Sequence, residues 1–326
     1  MRMRGILALL LISSLLCAAF GGCAAVHETA LTVEGVALDK QIFLYYFDMV
    51  RANPEEYALF ATSPRKFFAE QAQPLCVEYI TVNTRFLAQG KTLNVQEKAA
   101  LSARVNELWR VFGAYYQSIG VSKQTLMRAQ ASAVYRNRLF YDLYDTGGEY
   151  AVPEKEIQNY FEQNYLVFRV ISGYFTKLNE NGTDVSMTDS EKSILRGKFA
   201  QMAQDLREEK SMEEVNDGYV GNSDSVVPLT VLKKGGKAYS EAFYSDVAKL
   251  KADTPTVLEY PQENYIFLVV REKVDFKSDE QYLPNRESCL KDMKAAEFDA
   301  ELKAQAGQYR LEPNQAVIDQ IIAVKK

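Results

Sequence analysis

The sequence has 326 residues, of which 47% are hydrophobic and 12% aromatic, enough to form a buried core and too many for a largely disordered chain. Its formal net charge of −5 at pH 7 and its lack of a basic tract argue against nucleic acid as a partner. The single histidine, His27, lies in an unpatterned stretch expected to be a tether, so we expect neither a histidine-based catalytic triad nor a zinc site with several histidine ligands. The length is typical of about two domains.

The first 22 residues have the pattern of a secretory signal peptide: a positively charged start, a short apolar segment and an exit of small residues. The apolar segment, Ile6 to Leu16, is shorter than the ~20 residues of a membrane-spanning helix. It leads to Phe20-Gly21-Gly22-Cys23, which resembles the lipobox of bacterial lipoproteins, although its first residue stands where leucine is usual. We therefore expect Cys23 to become a lipidated N-terminus carrying acyl chains such as palmitate. The alternative is an ordinary signal peptide that is cleaved near Ala24 or Ala25.

The segment after the signal peptide is predominantly helical. Residues 23–30 are unpatterned and are expected to form a tether, and residues 31–37 are expected to form a short strand or turn. Five helices are predicted from apolar residues at three- and four-residue spacing. Three of them begin at Asp39, Asn94 and Ser122, and the other two cover about 66–87 and 154–164.

The pattern changes at Tyr165, where strands enter. Strands are predicted over 166–176, 256–260 and 265–270, helices over 189–210 and 239–250, and a loop over 216–228. From about 279 to the end the pattern is helical again. The predicted fold class is therefore α+β, with the strands confined to one segment between helical flanks.

Two cysteines remain besides the anchor and the signal peptide. Cys76 and Cys289 both lie in helical patterns among apolar neighbours, which favours two buried thiols. A disulfide bridge between them is the alternative, since an oxidising compartment would permit it.

Three stretches of sequence, in a fixed order, resemble the extracytoplasmic foldase lipoproteins (PrsA-like) and the related periplasmic chaperones (SurA-like). They are Val33–Phe43 (VEGVALDKQIF), Gly120–Leu126 (GVSKQTL) and Val152–Tyr165 (VPEKEIQNYFEQNY). The first departs from the family pattern, which usually has asparagine where Glu34 stands. The resemblance implies a discontinuous, mostly helical chaperone domain over 31–164 plus 279–326, with a parvulin-like α+β domain inserted over 165–278.

The insert differs from an active parvulin. Parvulins usually carry one histidine in the opening strand and a second near the last strand, whereas Phe168–Gly173 and Tyr265–Leu268 contain none. We therefore expect a degenerate domain without isomerase activity, catalytic residues, metal or cofactor. A divergent but active peptidyl-prolyl isomerase is the alternative from the enzyme class.

The resemblance implies a membrane-anchored chaperone or foldase on the extracytoplasmic face of the cell membrane. Its partners would be unfolded or newly secreted polypeptides, bound without ATP, and no phosphate-binding glycine loop is present. Two further possibilities remain: that the protein forms a homodimer, and that it is a non-catalytic lipoprotein scaffold.

Tyrosine combines apolar area with a polar tip and suits a half-wet binding surface, although aromatic residues at helical spacing also form cores. The candidate client-binding residues are Tyr45, Tyr46, Phe47, Tyr115 and Tyr116.

Overall fold

The computed structural model describes residues 28–221 and 226–324. Contacts divide the chain into two compact units. The first comprises Met1–Ala151 with Lys294–Lys326, and the second comprises Val152–Met293. No helix in the described ranges is long and apolar enough to cross a membrane.

The predicted signal peptide, Cys23 and His27 lie outside the described residues. The first unit opens with a hairpin of β1 (Thr29–Val33) and β2 (Val36–Asp39). Strand β1 begins inside the stretch expected to be a tether, because Ala30 is fully buried in the core and the strand pairs with β2. The two turn residues, Glu34 and Gly35, have φ of 49° and 78°, the left-handed conformations that two-residue hairpin turns require.

Four helices follow the hairpin in the first unit. They are α1 (Lys40–Ala52), α2 (Arg65–Ala88), α3 (Val95–Ser118) and α4 (Lys123–Tyr144). Three of them begin at the predicted capping residues, since the side chains of Asp39, Asn94 and Ser122 accept hydrogen bonds from backbone N–H groups of the first turn. A 3₁₀ turn, Pro54–Tyr57, lies between α1 and α2.

The second unit combines strands and helices. In chain order these are α5 (Glu154–Asn164), β3 (Tyr165–Tyr174), β4 (Thr176–Leu178), β5 (Asp184–Ser186), α6 (Asp189–Arg207), α7 (Met212–Val220), β6 (Thr230–Lys233), α8 (Glu241–Lys249), β7 (Thr256–Tyr260) and β8 (Tyr265–Arg271). Four strands form an antiparallel sheet in the order β6-β3-β8-β7, and β4 pairs only with β5. The α+β class predicted from the sequence is confirmed. The prediction that strands are confined to the middle segment was wrong, because Thr29–Val33 pairs with Val36–Asp39 and with Leu311–Pro313 in the first unit.

The loop prediction for 216–228 was wrong at its start, because α7 extends to Val220. A capping box sets the start of this helix, with Ser211 accepting from the N–H of Glu214 while the Glu214 carboxylate accepts from the N–H of Ser211. Gly221, with φ of 72°, ends it.

The chain then returns to the first unit. Helix α9 (Arg286–Ala306) begins in the second unit and ends in the first, and β9 (Leu311–Pro313) and α10 (Gln315–Ala323) follow. Strand β9 pairs antiparallel with β1, with Leu31 opposite Pro313. Helix α10 contributes Val317, Ile318 and Ile321 to the core that β1, α1 and α2 also form. The core of the first unit thus contains both ends of the described chain.

Candidate functional site

Helix α1 has two apolar faces with different surroundings. One face packs into the core of the first unit through Ile42, Phe43, Phe47 and Val50. The other face lines a cavity through Tyr45, Asp48, Met49 and Ala52. With 3.6 residues per turn, positions 45, 48, 49 and 52 fall along one stripe, so the helix forms a wall of this cavity.

Helix α3 buries little of its surface. Among its 24 residues only Leu101, Val105 and Gly113 are buried. Near its C-terminus three large apolar side chains are exposed: Val111 (52%), Phe112 (49%) and Tyr115 (42%). Single exposed apolar residues are ordinary, but a run of them beside a cavity indicates a surface that can receive a partner.

The cavity between these helices has a volume of about 450 Å³ and is mainly aromatic. We call it the aromatic groove; its lining residues are Tyr45, Asp48, Met49, Ala52, Asn53, Phe112, Tyr115 and Tyr116. The ring of Tyr116 stacks on Tyr45 and on Trp109, with centroids 6.4 Å apart in both pairs. Gly113 lies against Trp109, where an added Cβ would be 3.2 Å from the indole. The row of rings therefore gives the groove an ordered apolar wall.

A hydrogen-bond network fixes the two helices at the groove. The Tyr115 hydroxyl donates to both Asp48 carboxylate oxygens, at 2.7 and 2.9 Å. The Arg51 guanidinium donates to Asp48 at 2.8 Å and to the Tyr115 hydroxyl at 2.9 Å. On the opposite side, Gln130 donates to the Tyr45 hydroxyl at 3.0 Å. Hydrogen bonds to a carboxylate are the stronger kind, so this network holds the Tyr115 ring in place.

The network also raises the pKa values of Tyr115 and Arg51. Burial and the hydrogen bond to Asp48 raise the pKa of Tyr115, so its hydroxyl stays protonated and keeps donating at neutral pH. The hydrogen bond to Asp48 raises the pKa of Arg51 in turn. The groove therefore has a neutral phenol and a neutralised ion pair at its polar end.

Three of the five predicted candidates, Tyr45, Tyr115 and Tyr116, lie together at the aromatic groove. Two lining residues, Met49 and Phe112, were not among the candidates. Helical spacing could have found both, because Met49 follows Tyr45 by four residues and Phe112 precedes Tyr116 by four.

The other two candidates, Tyr46 and Phe47, point away from the groove. The Tyr46 ring meets the Tyr79 ring edge-on at 6.1 Å, and burial raises the pKa of Tyr46 well above its usual value. Phe47 is 3% exposed and packs edge-on against Phe68 at 6.4 Å. Successive helical residues point about 100° apart, so three adjacent aromatic residues cannot share one face.

The sheet of the second unit is filled on both faces. Strand β8 alternates, placing Ile266 and Leu268 in one apolar cluster and Phe267 and Val269 in the other. Phe267, 6% exposed, lies 4.9 Å from the Phe243 ring. Strands β3 and β8 thus contribute apolar and aromatic side chains to two buried clusters.

Cys76 and Cys289 are free thiols and both are buried, so the prediction of two buried thiols is confirmed. Burial raises the pKa of Cys76 well above its usual value and that of Cys289 to about 11. Among the residues that the structure describes, no group of three His, Cys, Asp or Glu side chains could hold a metal ion.

The sequence matches no protein-family model and no curated protein. Its structure is similar to the foldase protein PrsA from Streptococcus pneumoniae (13% identity, 90% of this chain and 91% of that chain, TM-score 0.35). It is also similar to PrsA from Lactococcus lactis (9% identity, 90% and 99%, TM-score 0.38). A third similarity is to the SurA-like chaperones PEB4 and Cj1289 of Campylobacter jejuni (11% identity, 87% and 98%, TM-score 0.29). These structures are of PrsA and SurA-like proteins, the group that the sequence motifs predicted. With TM-scores this low, the similarities carry no argument about function.

Proposed function

We propose that the protein is a membrane-anchored, extracytoplasmic chaperone or foldase that binds apolar segments of unfolded polypeptides in the aromatic groove. The observation that supports this is an open cavity of about 450 Å³ whose rim carries Phe112 and Tyr115, each more than two-fifths exposed. A volume of this size accommodates one or two large side chains of an extended segment.

The groove suits weak, reversible binding. Fully burying a large apolar side chain contributes roughly 1.5–3 kcal/mol, and Phe112 is already about half buried. Each ring therefore offers about 1 kcal/mol to a bound segment. Contacts of this strength allow release without ATP, and the fixed polar end formed by Tyr115 and Asp48 keeps the groove open.

The anchor would hold this groove close to the membrane. Cys23 is six residues before Thr29, the first residue of β1. An extended chain of six residues spans roughly 20 Å, so the first unit would stay near the lipid surface. Two or more acyl chains are sufficient for stable anchoring.

We propose no prolyl isomerase activity for this protein. Catalysis of prolyl isomerisation requires a shaped pocket with placed polar groups, because rotation about the peptide bond must cross a barrier of about 18–20 kcal/mol. In the second unit the rings of Tyr239, Phe243 and Phe267 pack within 4.4–6.2 Å of one another on the sheet face. This packing supports a structural role for the side chains in that region.

Suppression of aggregation by the purified protein tests the proposal. We expect the wild-type protein to slow the aggregation of unfolded citrate synthase or rhodanese, and the double variant Phe112→Ser, Tyr116→Ser to lose most of that effect. The matched control is Val95→Ser, which replaces an apolar residue that is 83% exposed at the other end of α3. Equal protection by the wild type and the double variant, with both folded by circular dichroism, would refute the role of the groove.

A further inference from the structure

A second cavity adjoins the aromatic groove and differs from it in charge. It also has a volume of about 450 Å³, and Asp48 lines both cavities. We call it the basic cavity; its charged lining residues are Lys40, Asp48, Arg51 and Arg65. Three cations and one carboxylate line this cavity, in a protein whose net charge is negative.

Two of the three cations are paired with carboxylates. Lys40 Nζ lies 2.6 Å from a carboxylate oxygen of Glu28. The Arg51 guanidinium lies 2.8 Å from Asp48, which also accepts from Tyr115. Among the described residues, Asp48 is the one carboxylate that lines the cavity, and it is neutralised by Arg51, while Lys40 is neutralised by Glu28.

Arg65 is the cation without a carboxylate partner among the described residues. Its guanidinium donates to the carbonyl oxygens of Ile322 at 2.8 Å and Ile321 at 3.2 Å, and it lies over the Phe47 ring at 5.0 Å. These partners fix its position but carry no formal charge; Asp48, already paired with Arg51, is the carboxylate that favours its cationic form. The basic cavity consequently carries an excess positive charge.

The surroundings of Arg65 disfavour that charge further. Arg65 is the first residue of α2, a helix without an acidic residue in its first turn and without a side-chain cap, so the positive end of the helix dipole adds to its own charge. Burial and the neighbouring Arg51 lower the pKa of Arg65. An anion bound here would relieve both effects.

We propose that the basic cavity binds an acidic side chain of the client, a short distance along the chain from the apolar residue that occupies the aromatic groove. This extends the proposed chaperone function, on which it rests, to a preference among client segments. A guanidinium matches a carboxylate in geometry as well as charge. The apolar walls at Leu44, Ile119 and Ile321 suit the methylene stem of a glutamate.

The spacing of the two cavities predicts the spacing in the client. On the α3 side, the groove is lined by Phe112, Tyr115 and Tyr116, and the basic cavity by residues 117–120, of which 117 and 118 end the helix. At a rise of 1.5 Å per residue the mean positions of these two sets lie about 6 Å apart, which about two residues of an extended peptide span. The preferred client segment therefore has an aromatic residue and a glutamate two positions apart, in either order.

Peptide binding to the purified full-length protein tests this preference. The probes are fluorescein-labelled glycine–serine peptides with blocked ends that carry three Phe-Ser-Glu or three Phe-Ser-Gln repeats, measured by fluorescence anisotropy. We expect the glutamate peptide to bind about three- to fivefold more tightly at low salt, and the difference to shrink in high salt. The variant Arg65→Gln should bring the ratio to about one, and Arg65→Lys should keep part of it, because it retains the charge but not the bidentate geometry. The control Arg110→Gln, 72% exposed on α3, should keep the full ratio.

The outcomes separate this proposal from the one on which it rests. Equal binding of the two peptides, together with intact suppression of aggregation, overturns the basic cavity and leaves the chaperone function standing. Loss of both peptide binding and aggregation suppression in the wild type overturns the chaperone function itself. The Phe-Ser-Gln peptide with a free C-terminus and phosphatidylglycerol vesicles serve as further probes. Arg65-dependent binding of either one, without any preference for the blocked glutamate peptide, would also overturn the acidic-side-chain proposal. If Arg65→Gln does not fold, Arg65→Lys, checked by circular dichroism, must lower the ratio for the proposal to stand.

Discussion

The Tyr115 hydroxyl bridges to both carboxylate oxygens of Asp48, at 2.7 and 2.9 Å, and so joins α3 to α1 at the edge of the aromatic groove. Helix α3 buries only three of its 24 residues and so has little core packing. The hydrogen bonds between Tyr115 and Asp48 therefore help to hold α3 against α1.

Removing that hydroxyl should loosen the groove. We expect Tyr115→Phe to lower the free energy of unfolding by about 1–3 kcal/mol, because a part-buried carboxylate loses a hydrogen bond. The measurement is urea unfolding followed by circular dichroism. Tyr135→Phe is the control, as its ring stacks on Phe86 and its hydroxyl has no hydrogen-bond partner among the described residues. Equal stability of the two variants would contradict the importance of this contact.

The C-terminal helix should contribute strongly to the first unit. Ile318 is 2% exposed in the shared core, so Ile318→Ala should cost about 2–5 kcal/mol of unfolding free energy. Ile194→Ala makes the same change at a side chain that is 60% exposed on α6 and should cost less than 1 kcal/mol, within the range of surface changes. A small effect at both sites in thermal unfolding would show that α10 is dispensable for the unit.

The two thiols should be unreactive in the folded protein. Reaction with iodoacetamide requires the thiolate, and burial raises the pKa of Cys289 to about 11 and that of Cys76 well above its usual value. At pH 8 both therefore remain protonated and shielded, and alkylation should accelerate at least about tenfold in denaturant. Peptide mass spectrometry reads each site separately, and rapid labelling of Cys76 in the native protein would contradict its burial.

Lipidation at Cys23 has a direct test. Cys23→Ala should release the protein from the membrane fraction or leave it unprocessed, because the acyl chains that provide anchoring have no other attachment site at the end of the signal peptide. Fractionation and mass spectrometry of the N-terminus give the result. A mature N-terminus at Ala24 or beyond in the wild type would replace the anchor with an ordinary signal peptide.

The second unit should not accelerate prolyl isomerisation. We expect proline-limited refolding of a model substrate to proceed at the same rate with and without excess protein, because the aromatic rings of Tyr239 and Phe243 cover the sheet face that holds Phe267. Cyclophilin in the same assay is the positive control. A saturable acceleration that persists after Phe112→Ser, Tyr116→Ser would restore the enzyme alternative.

Local signals explain what the sequence could predict. Asp39, Asn94 and Ser122 stand at the starts of helices because each is a good N-cap followed by apolar residues at helical spacing, and those predictions were correct. The loop prediction after Asn216 was wrong because glycine was given more weight than the capping box that begins at Ser211.

Only some of the residues that line the aromatic groove could be predicted from the sequence, and the reason is a different one. The run Tyr45-Tyr46-Phe47 is aromatic at every position, so periodicity could not say which ring faces the core. That choice depends on what packs against α1, namely Tyr79 and Phe68 of α2, which are distant in sequence. Tertiary contacts of this kind leave no local pattern, and the same holds for the meeting of Arg65 with the end of α10.

The pairing of β1 with β9 imposes an order on folding. A chain is made from its N-terminus, yet Leu31 finds its partner Pro313 only after some 280 residues have followed. The second unit is continuous in sequence and can form its sheet as soon as Arg271 is available. Until β9 and α10 emerge, β1 lacks its β9 partner and the core of the first unit lacks Val317, Ile318 and Ile321, so the first unit completes its core after the second unit has been fully synthesised.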